Sequence, residues 1–529
     1  MLNRLLENWL DSASERSYQS TFCQLLAAQG HTVLHSTRHN VLEYGKDILT
    51  IDPQGTPCAY QLKGNPGSRL TLDQFRKIQD QLVQLVTQPP IFPGLKIQPY
   101  NTYLVTNGII EEEVQRAVDD LNRGFEASNA IGRPLGVIQR GHLLKWANEL
   151  GTSLWPSGLQ DANRLLQLLV TDGKQQFPTK LLHELLNSSL LFTTNKPTKV
   201  SAGKLKRHIT SAALLTAVCL KNFSLENNYY AVIVAWSMFS AYVVGACEKY
   251  DKSFKRNGVA AVEIARDTIF YNLKSLCDEL KDRKHYVEGN ALVDVFTYRG
   301  RFTLLVALMS LYWFWCEDEG WPSEEHRLFL QNFLPKGQAG LYMWGEGAIP
   351  QLLIHLWYLR SVDASITPDI LLGALLRQIV QTCNNKNSIG IPTPYYTFED
   401  TTRHLLRGVL SLKEDPFHGD TFRYSSFFAL PLMHLLVRTN LKQNCKSIWP
   451  DFSKLGFRHF EPRSSWMYCL KEADEGTEIT EQPKLTKDWE ELTQEARDVT
   501  GFGVPTELKN DKYLLMLFVI SSFRLGSCM

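Results

Sequence analysis

The 529-residue sequence has almost no net charge, because 56 Lys and Arg stand against 55 Asp and Glu and leave +1. A global positive field of the kind that marks many nucleic-acid binders is therefore excluded, and any such surface must be local. The ten cysteines (positions 23, 58, 219, 247, 277, 316, 383, 445, 469 and 528) form no CxxC, and several lie in apolar runs such as Ala217-Val218-Cys219-Leu220. That spacing argues against a disulfide frame or a zinc site and points to buried thiols in a reducing cytosol. The first residues, MLNRLLENWLDSASER, lack a continuous apolar core, so a secretory signal is not expected and a cytoplasmic location is. There is no repeat of fixed period and no low-complexity tract. Long apolar runs are scarce too. Tyr229 to Cys247 is 19 residues without a charge, but two Ser, three Tyr and a Trp dilute it, and Glu248, Lys249 and Asp251 follow. A buried helix is expected there, not a membrane span.

What is present is ordinary globular material: 44% hydrophobic, 21% charged, and enough aromatics (12 Trp, 20 Tyr, 26 Phe) to fill large cores. The length suggests about three domains. Over residues 1–150 helical and extended patterns alternate. Ser17 to Gln29 has helical apolar spacing and is stopped by Gly30. Thr32-Val33-Leu34, Asp47–Ile51 and Cys58–Lys63 are extended, the last two joined across the turn Asp52-Pro53-Gln54-Gly55. Helix is predicted for Leu72–Val86, strand for Asn101–Thr106, helix for Glu111–Asn122, strand for Leu135–Ile138 and helix for His142–Glu149. The order α-β-β-β-α-β-α-β-α predicts a mixed sheet with helices on its faces. Beyond 150 the strand signal fades. The expected organisation is an α/β domain at 1–150, a helical connector and basic linker at 151–206, a helical domain at 207–445 and a mixed segment at 446–529.

One constellation carries chemistry. Asp47 opens a strand, and 14 residues later, across the turn, comes Gln61-Leu62-Lys63. Alternation puts Gln61 and Lys63 on one side of their strand, and a tight hairpin brings Asp47 beside them. A carboxylate, an amide oxygen and an ammonium then share one patch, with the Leu62 carbonyl at hand. Metal-assisted phosphodiester cleavage needs such a set. Asp47, Gln61 and the Leu62 carbonyl offer oxygen ligands to a hard cation such as Mg²⁺ or Mn²⁺. The cation polarises the phosphate and acidifies a bound water, and Lys63 stabilises the developing charge. Tyr60 and Leu62 face the other way and are expected in the core. Because the site face is polar, removing Asp47 or Lys63 is expected to change stability little.

These residues resemble the restriction-endonuclease-like PD-(D/E)xK nucleases, in the Mrr-type branch, where Gln replaces the first acid of the ExK. The likeness covers about residues 1–150. The helix ending Leu25-Leu26-Ala27-Ala28-Gln29-Gly30-His31, the strand and turn Leu104-Val105-Thr106-Asn107-Gly108, and Gly141-His142-Leu143-Leu144 support it. The resemblance implies a restriction-endonuclease-like α/β fold followed by a large helical region. It also implies a Mg²⁺-dependent endodeoxyribonuclease, with Asp47, Gln61 and Lys63 as catalytic residues. The chain departs from the pattern on the first helix, where the family's metal-site Glu is replaced by Gln19. Glu15, one turn earlier, and Glu43, four residues before Asp47, are the other acids that could serve.

Residues 1–150 carry 14 Lys and Arg against 15 Asp and Glu, a net of −1, so DNA affinity from this segment alone should be low. The stretch 185–225 has no acid and contains Lys196, Lys199, Lys204, Lys206, Arg207 and Lys221, which reads equally as a phosphate-contact strip beside the nuclease segment or as a solvated linker. The expected partners are DNA and either a protein or further copies of the chain, bound through the helical region acting as sensor or platform. In the context of the family, such fusions imply the effector of a prokaryotic defence against phage or foreign DNA. The rival expectation is a catalytically degenerate nuclease fold that binds nucleic acid or protein without cutting.

Overall fold

The computed structural model describes residues 2–36, 46–93, 95–150, 159–190, 200–282, 295–336, 341–366, 368–386, 390–392, 394, 396–409, 424–458, 464–469, 488–498 and 505–521. It divides into two compact units, Met1–Asn272 and Leu273–Met529.

The first unit opens with α1 (Leu2–Leu10) and α2 (Glu15–Ala28). Helix α1 has no counterpart in the sequence-predicted order. The hydroxyl of Ser14 caps α2 by accepting from the amide of Ser17. Gly30 then takes φ +91°, which turns the chain out of the helix. Strands β1 (Thr32–Ser36), β2 (Ile48–Ile51) and β3 (Pro57–Lys63) follow. The β2–β3 turn is built by Asp52, whose Oδ1 accepts from Gln54 N at 3.0 Å and Thr56 N at 2.7 Å. The short strand β4 (Arg69–Leu70) precedes α3 (Leu72–Thr87), which starts with a reciprocal Thr71–Gln74 capping box. Then come β5 (Asn101–Thr106), β6 (Ile109–Ile110), α4 (Glu112–Ala127), β7 (Gly136–Ile138) and α5 (Arg140–Glu149).

Among the described residues the main sheet has five strands in the order β1-β2-β3-β5-β7. β1–β2 and β2–β3 are antiparallel, whereas β3–β5 and β5–β7 are parallel. The parallel pairs arise because α3 and α4 are the crossovers that return the chain to the same end of the sheet. The expected mixed sheet with helices is thus observed, with β4 and β6 added as a separate parallel pair. Both faces are covered. Leu49, Ala59 and Leu104 share a core with Phe75, Leu82 and Leu85 of α3 and Val114 and Val118 of α4. On the other face Phe22 of α2 meets the Tyr60 ring edge-on at 5.4 Å.

Among the described residues, seven further helices belong to the unit: α6 (Leu159–Val170), α7 (Thr179–Ser189), α8 (Ala202–Cys219), α9 (Lys221–Leu225), α10 (Tyr229–Lys249), α11 (Phe254–Asn257) and α12 (Val259–Asp282), the last ending beyond Asn272. Helix α10 is long and apolar enough to cross a membrane, yet 94% of its most apolar window is buried inside the structure. Ser237 and Ser240 are accommodated there by donating to the carbonyls one turn back, Ile233 and Trp236. The nine described cysteines are buried thiols.

Among its described residues the second unit is mainly helical, with the longest helix there at Val295–Glu319 and a small parallel pair, Ser425–Ser426 with Gly456–Phe457. Its notable polar feature is Glu346, 2% exposed, whose carboxylate accepts from the backbone amides of Phe427 and Phe428 and from the hydroxyl of Ser426. These donors lead into the helix Ala429–Arg438, so the carboxylate anchors that helix start.

Candidate active site

The β2–β3 register pairs Ile48 with Tyr60, which sets Asp47 directly opposite Gln61 at the open end of the hairpin. The backbone amide of Asp47 donates to the Tyr60 carbonyl at 2.8 Å and continues the ladder. Its side chain then turns onto β3. Asp47 Oδ2 accepts from Gln61 Nε2 at 2.6 Å and from the backbone amide of Leu62 at 2.6 Å. Lys63 lies two residues beyond Gln61 on the same face and is half-buried. The structure therefore brings Asp47, Gln61 and Lys63 together at the C-terminal end of β3, where ligands of open α/β sheets generally bind.

Tyr60 and Leu62 are buried on the opposite face, as their alternation predicted. The polar face expected to make loss of Asp47 cheap is not open to solvent. Gln61 is only 3% exposed and Asp47 is largely enclosed. Burial pushes the Asp47 carboxyl up to about 6; the Leu62 amide opposes this, the nearby Glu15 charge adds to it, and the Lys63 and Arg16 cations offset it. Removal of this carboxylate will therefore not be neutral for stability.

Helix α2 delivers its residues to the site across a close contact. A Cβ on Gly64 would lie 2.9 Å from the backbone nitrogen of Glu15, so only glycine lets the end of β3 reach the start of α2. There Glu15 Oε2 accepts from Gly64 N at 3.1 Å. Gln19 is buried, with its Oε1 accepting from Arg16 Nη1 at 3.0 Å. Glu15 thus acts electrostatically on Asp47, whereas the amide oxygen of Gln19 is engaged with its helix neighbour. Glu43, Lys196 and Lys199 lie outside the described residues. Lys204, Lys206 and Arg207 are exposed on the first turns of α8.

Three supporting residues were not foreseen from the sequence. Tyr18, one turn on from Glu15, donates its hydroxyl to the carbonyls of Lys63 (3.1 Å) and Val105 (3.2 Å) and ties together the ends of β3 and β5. Asn107 is fully buried. Its amide donates to Leu10 O and Ala13 O, both at 2.8 Å, and its oxygen accepts from Asn65 N at 2.8 Å. Asn65 in turn receives the Thr106 hydroxyl and donates to Gln74. This satisfied network holds the α1–α2 turn, and so Glu15, against the ends of β3 and β5. The only sequence signals were helical spacing for Tyr18 and the Thr-Asn-Gly turn for Asn107.

Asp47, Gln61 and the Leu62 carbonyl carry oxygen atoms, the ligand type a hard cation takes. Gln61 Nε2 sits where two oxygens converge, 2.6 Å from Asp47 Oδ2 and 3.4 Å from the Leu62 carbonyl, while Gln61 Oε1 is buried with no hydrogen-bond partner. A buried amide oxygen without a donor is costly, but only with the Gln61 amide turned over would that oxygen face Asp47 and Leu62 and share a cation with them. Among the described residues no three His, Cys, Asp or Glu side chains are grouped to hold a metal. A single carboxylate with neutral oxygens makes a weak site. No protein-family model matches the chain, and neither a curated protein nor a solved structure is significantly similar to it.

Proposed function

We propose that residues 1–150 form a restriction-endonuclease-like nuclease domain of the Mrr type. In this reading it hydrolyses DNA phosphodiester bonds with Mg²⁺ or Mn²⁺, acting in the cytoplasm as the effector of a defence against foreign DNA. The observation that carries the reading is the direct opposition of Asp47 and Gln61 on the β2–β3 hairpin, with Lys63 two residues along the same face. Asp47, Gln61 and the Leu62 carbonyl would hold the cation, which when bound supplies charge to the phosphate and acidity to a water. Lys63 places an ammonium beside the carboxylate to meet the charge that develops on the phosphate oxygens. Glu15 and Tyr18 hold the chain just after Leu62, so the ligand carbonyl and Lys63 stay in register. With its carboxyl at about 6, Asp47 is ionised above neutral pH and ready to bind a cation. Cleavage of supercoiled plasmid in Mg²⁺ is the test. Wild type should nick or linearise it, and Asp47→Ala and Lys63→Ala should not. Wild-type-like cutting by Asp47→Ala would overturn the assignment.

A second reading, a nuclease fold that binds without cutting, is favoured by one observation. Both donors on Asp47 Oδ2 come from the protein itself, and Glu15 is engaged by Gly64. In that case wild type would retain DNA yet leave it intact at every Mg²⁺ and Mn²⁺ concentration.

A further inference from the structure

Two basic segments distant in sequence meet at one end of the helical layer in the first unit. Lys204, Lys206 and Arg207 are exposed on the first turns of α8, which has no acid in its first turn. The ring of His208, next along, bonds through Nδ1 to the Ser189 carbonyl at 2.9 Å, at the end of α7. Tyr250, at the end of α10, donates its hydroxyl to the adjacent Leu190 carbonyl at 3.4 Å. The chain then turns through Asp251, and Lys252 N closes the turn on Cys247 O at 2.8 Å. Helix α11, with Lys255 and Arg256 exposed, packs against α8. Lys204, Lys206 and Arg207 are thereby joined by Lys252, Lys255 and Arg256. The acids on these segments are only Glu248, half-buried, and Asp251. Cations at the start of α8 oppose its dipole, so the fold gains nothing from them there, whereas an anion is drawn by both.

The patch has a defined relation to the candidate site. Helices α2 and α12 run antiparallel: Arg16 lies over the Tyr271 ring at 5.4 Å, Ser20 bonds to Thr268, and Gln24 donates to Ala261 O at 2.9 Å. The start of α12, which directly follows α11, is therefore at the C-terminal end of α2, and Glu15 is at the other. Fourteen helical residues separate the two ends by about 21 Å, roughly six steps of a duplex.

Resting on the nuclease reading, we propose that Lys204, Lys206, Arg207, Lys252, Lys255 and Arg256 form one surface that grips the phosphate backbone of duplex DNA while a phosphodiester some six steps away lies at Asp47. The surface supplies the affinity that residues 1–150, with a net charge of −1, lack.

The test is fluorescence anisotropy of a labelled 30-base-pair duplex with the full-length protein in EDTA, from 50 to 200 mM salt. About six phosphate contacts predict a log–log slope near −5.4 and a roughly 1,800-fold loss of affinity across that range. Lys204→Gln/Lys206→Gln/Arg207→Gln should reduce the slope by about 2.7 and Lys255→Gln/Arg256→Gln by about 1.8. Arg116→Gln, exposed on α4, should leave it unchanged. All these positions are on the surface, and circular dichroism verifies that each variant is folded. Slopes unchanged in both basic variants would overturn the proposal, as would binding to vesicles containing anionic phospholipid with none to the duplex. Binding as described without cleavage in Mg²⁺ would sink the nuclease reading alone; cleavage with unaltered slopes would sink this surface alone.

Discussion

Replacing Asp47 by Asn should stabilise the first unit, by an amount the structure sets, while removing the carboxylate of the proposed cation site. The native carboxyl lies at about 6 against 3.8 for a free aspartate. Each pKa unit is worth about 1.4 kcal/mol, so keeping the group ionised above pH 7 costs up to about 3 kcal/mol. The sign follows from proton binding. The native state holds the Asp47 proton more tightly than the unfolded chain, so stability falls as pH rises between about 4 and 6, and the full cost is present above 6. Asparagine keeps an acceptor for the amides of Gln61 and Leu62 but carries no charge. Its new amide donor needs a partner of its own, so the expected gain is about 1–3 kcal/mol at pH 8, shrinking to nearly nothing at pH 4. Mg²⁺ should act in the opposite sense. For a weak site with Kd of about 1 mM, 10 mM Mg²⁺ would stabilise wild type by about 1.4 kcal/mol and leave Asp47→Asn unaffected. Urea titrations over pH 4–8 measure this, with the transition of the first unit identified by hydrogen exchange. If Asp47→Asn is destabilised at pH 8, or if its difference from wild type does not vary with pH, the burial argument fails.

Lys63→Met should lower plasmid cleavage by about 100-fold or more, because a charge that meets the transition state is lost, while the urea midpoint moves little. Glu15→Gln keeps an acceptor for Gly64 N but removes a like charge, so the Asp47 titration, followed by NMR of the carboxyl carbon, should move down in pH. Glu346→Ala in the second unit removes the acceptor of the buried Phe427 amide and Ser426 hydroxyl and should cost that unit about 3–5 kcal/mol in urea unfolding. Phe239→Ala, at a fully buried position of α10, should cost the first unit about 3–5 kcal/mol, confirming by urea unfolding that the apolar helix is core.

Short-range spacing determined much of what the sequence alone revealed. Alternation over Cys58–Lys63 and the Asp-Pro-Gln-Gly turn were enough to set Asp47 against Gln61, because strand period and turn length together leave one register. The helical spacing of Ser17–Gln29 and Leu72–Val86 and the apolar run at Asn101–Thr106 likewise predicted α2, α3 and β5, since each buries a stripe that its own period defines. What spacing cannot encode is which distant groups meet. The enclosure of Asp47, the clasp of Glu15 on Gly64, the reach of Asn107 to the α1–α2 turn and the meeting of α8 with α11 all join residues about 45 or more positions apart, or depend on both sheet faces being covered. Those contacts exist only once the chain has packed. Tertiary structure therefore decided the electrostatics around Asp47 and the meeting of α8 with α11, while the sequence determined which residues are present there.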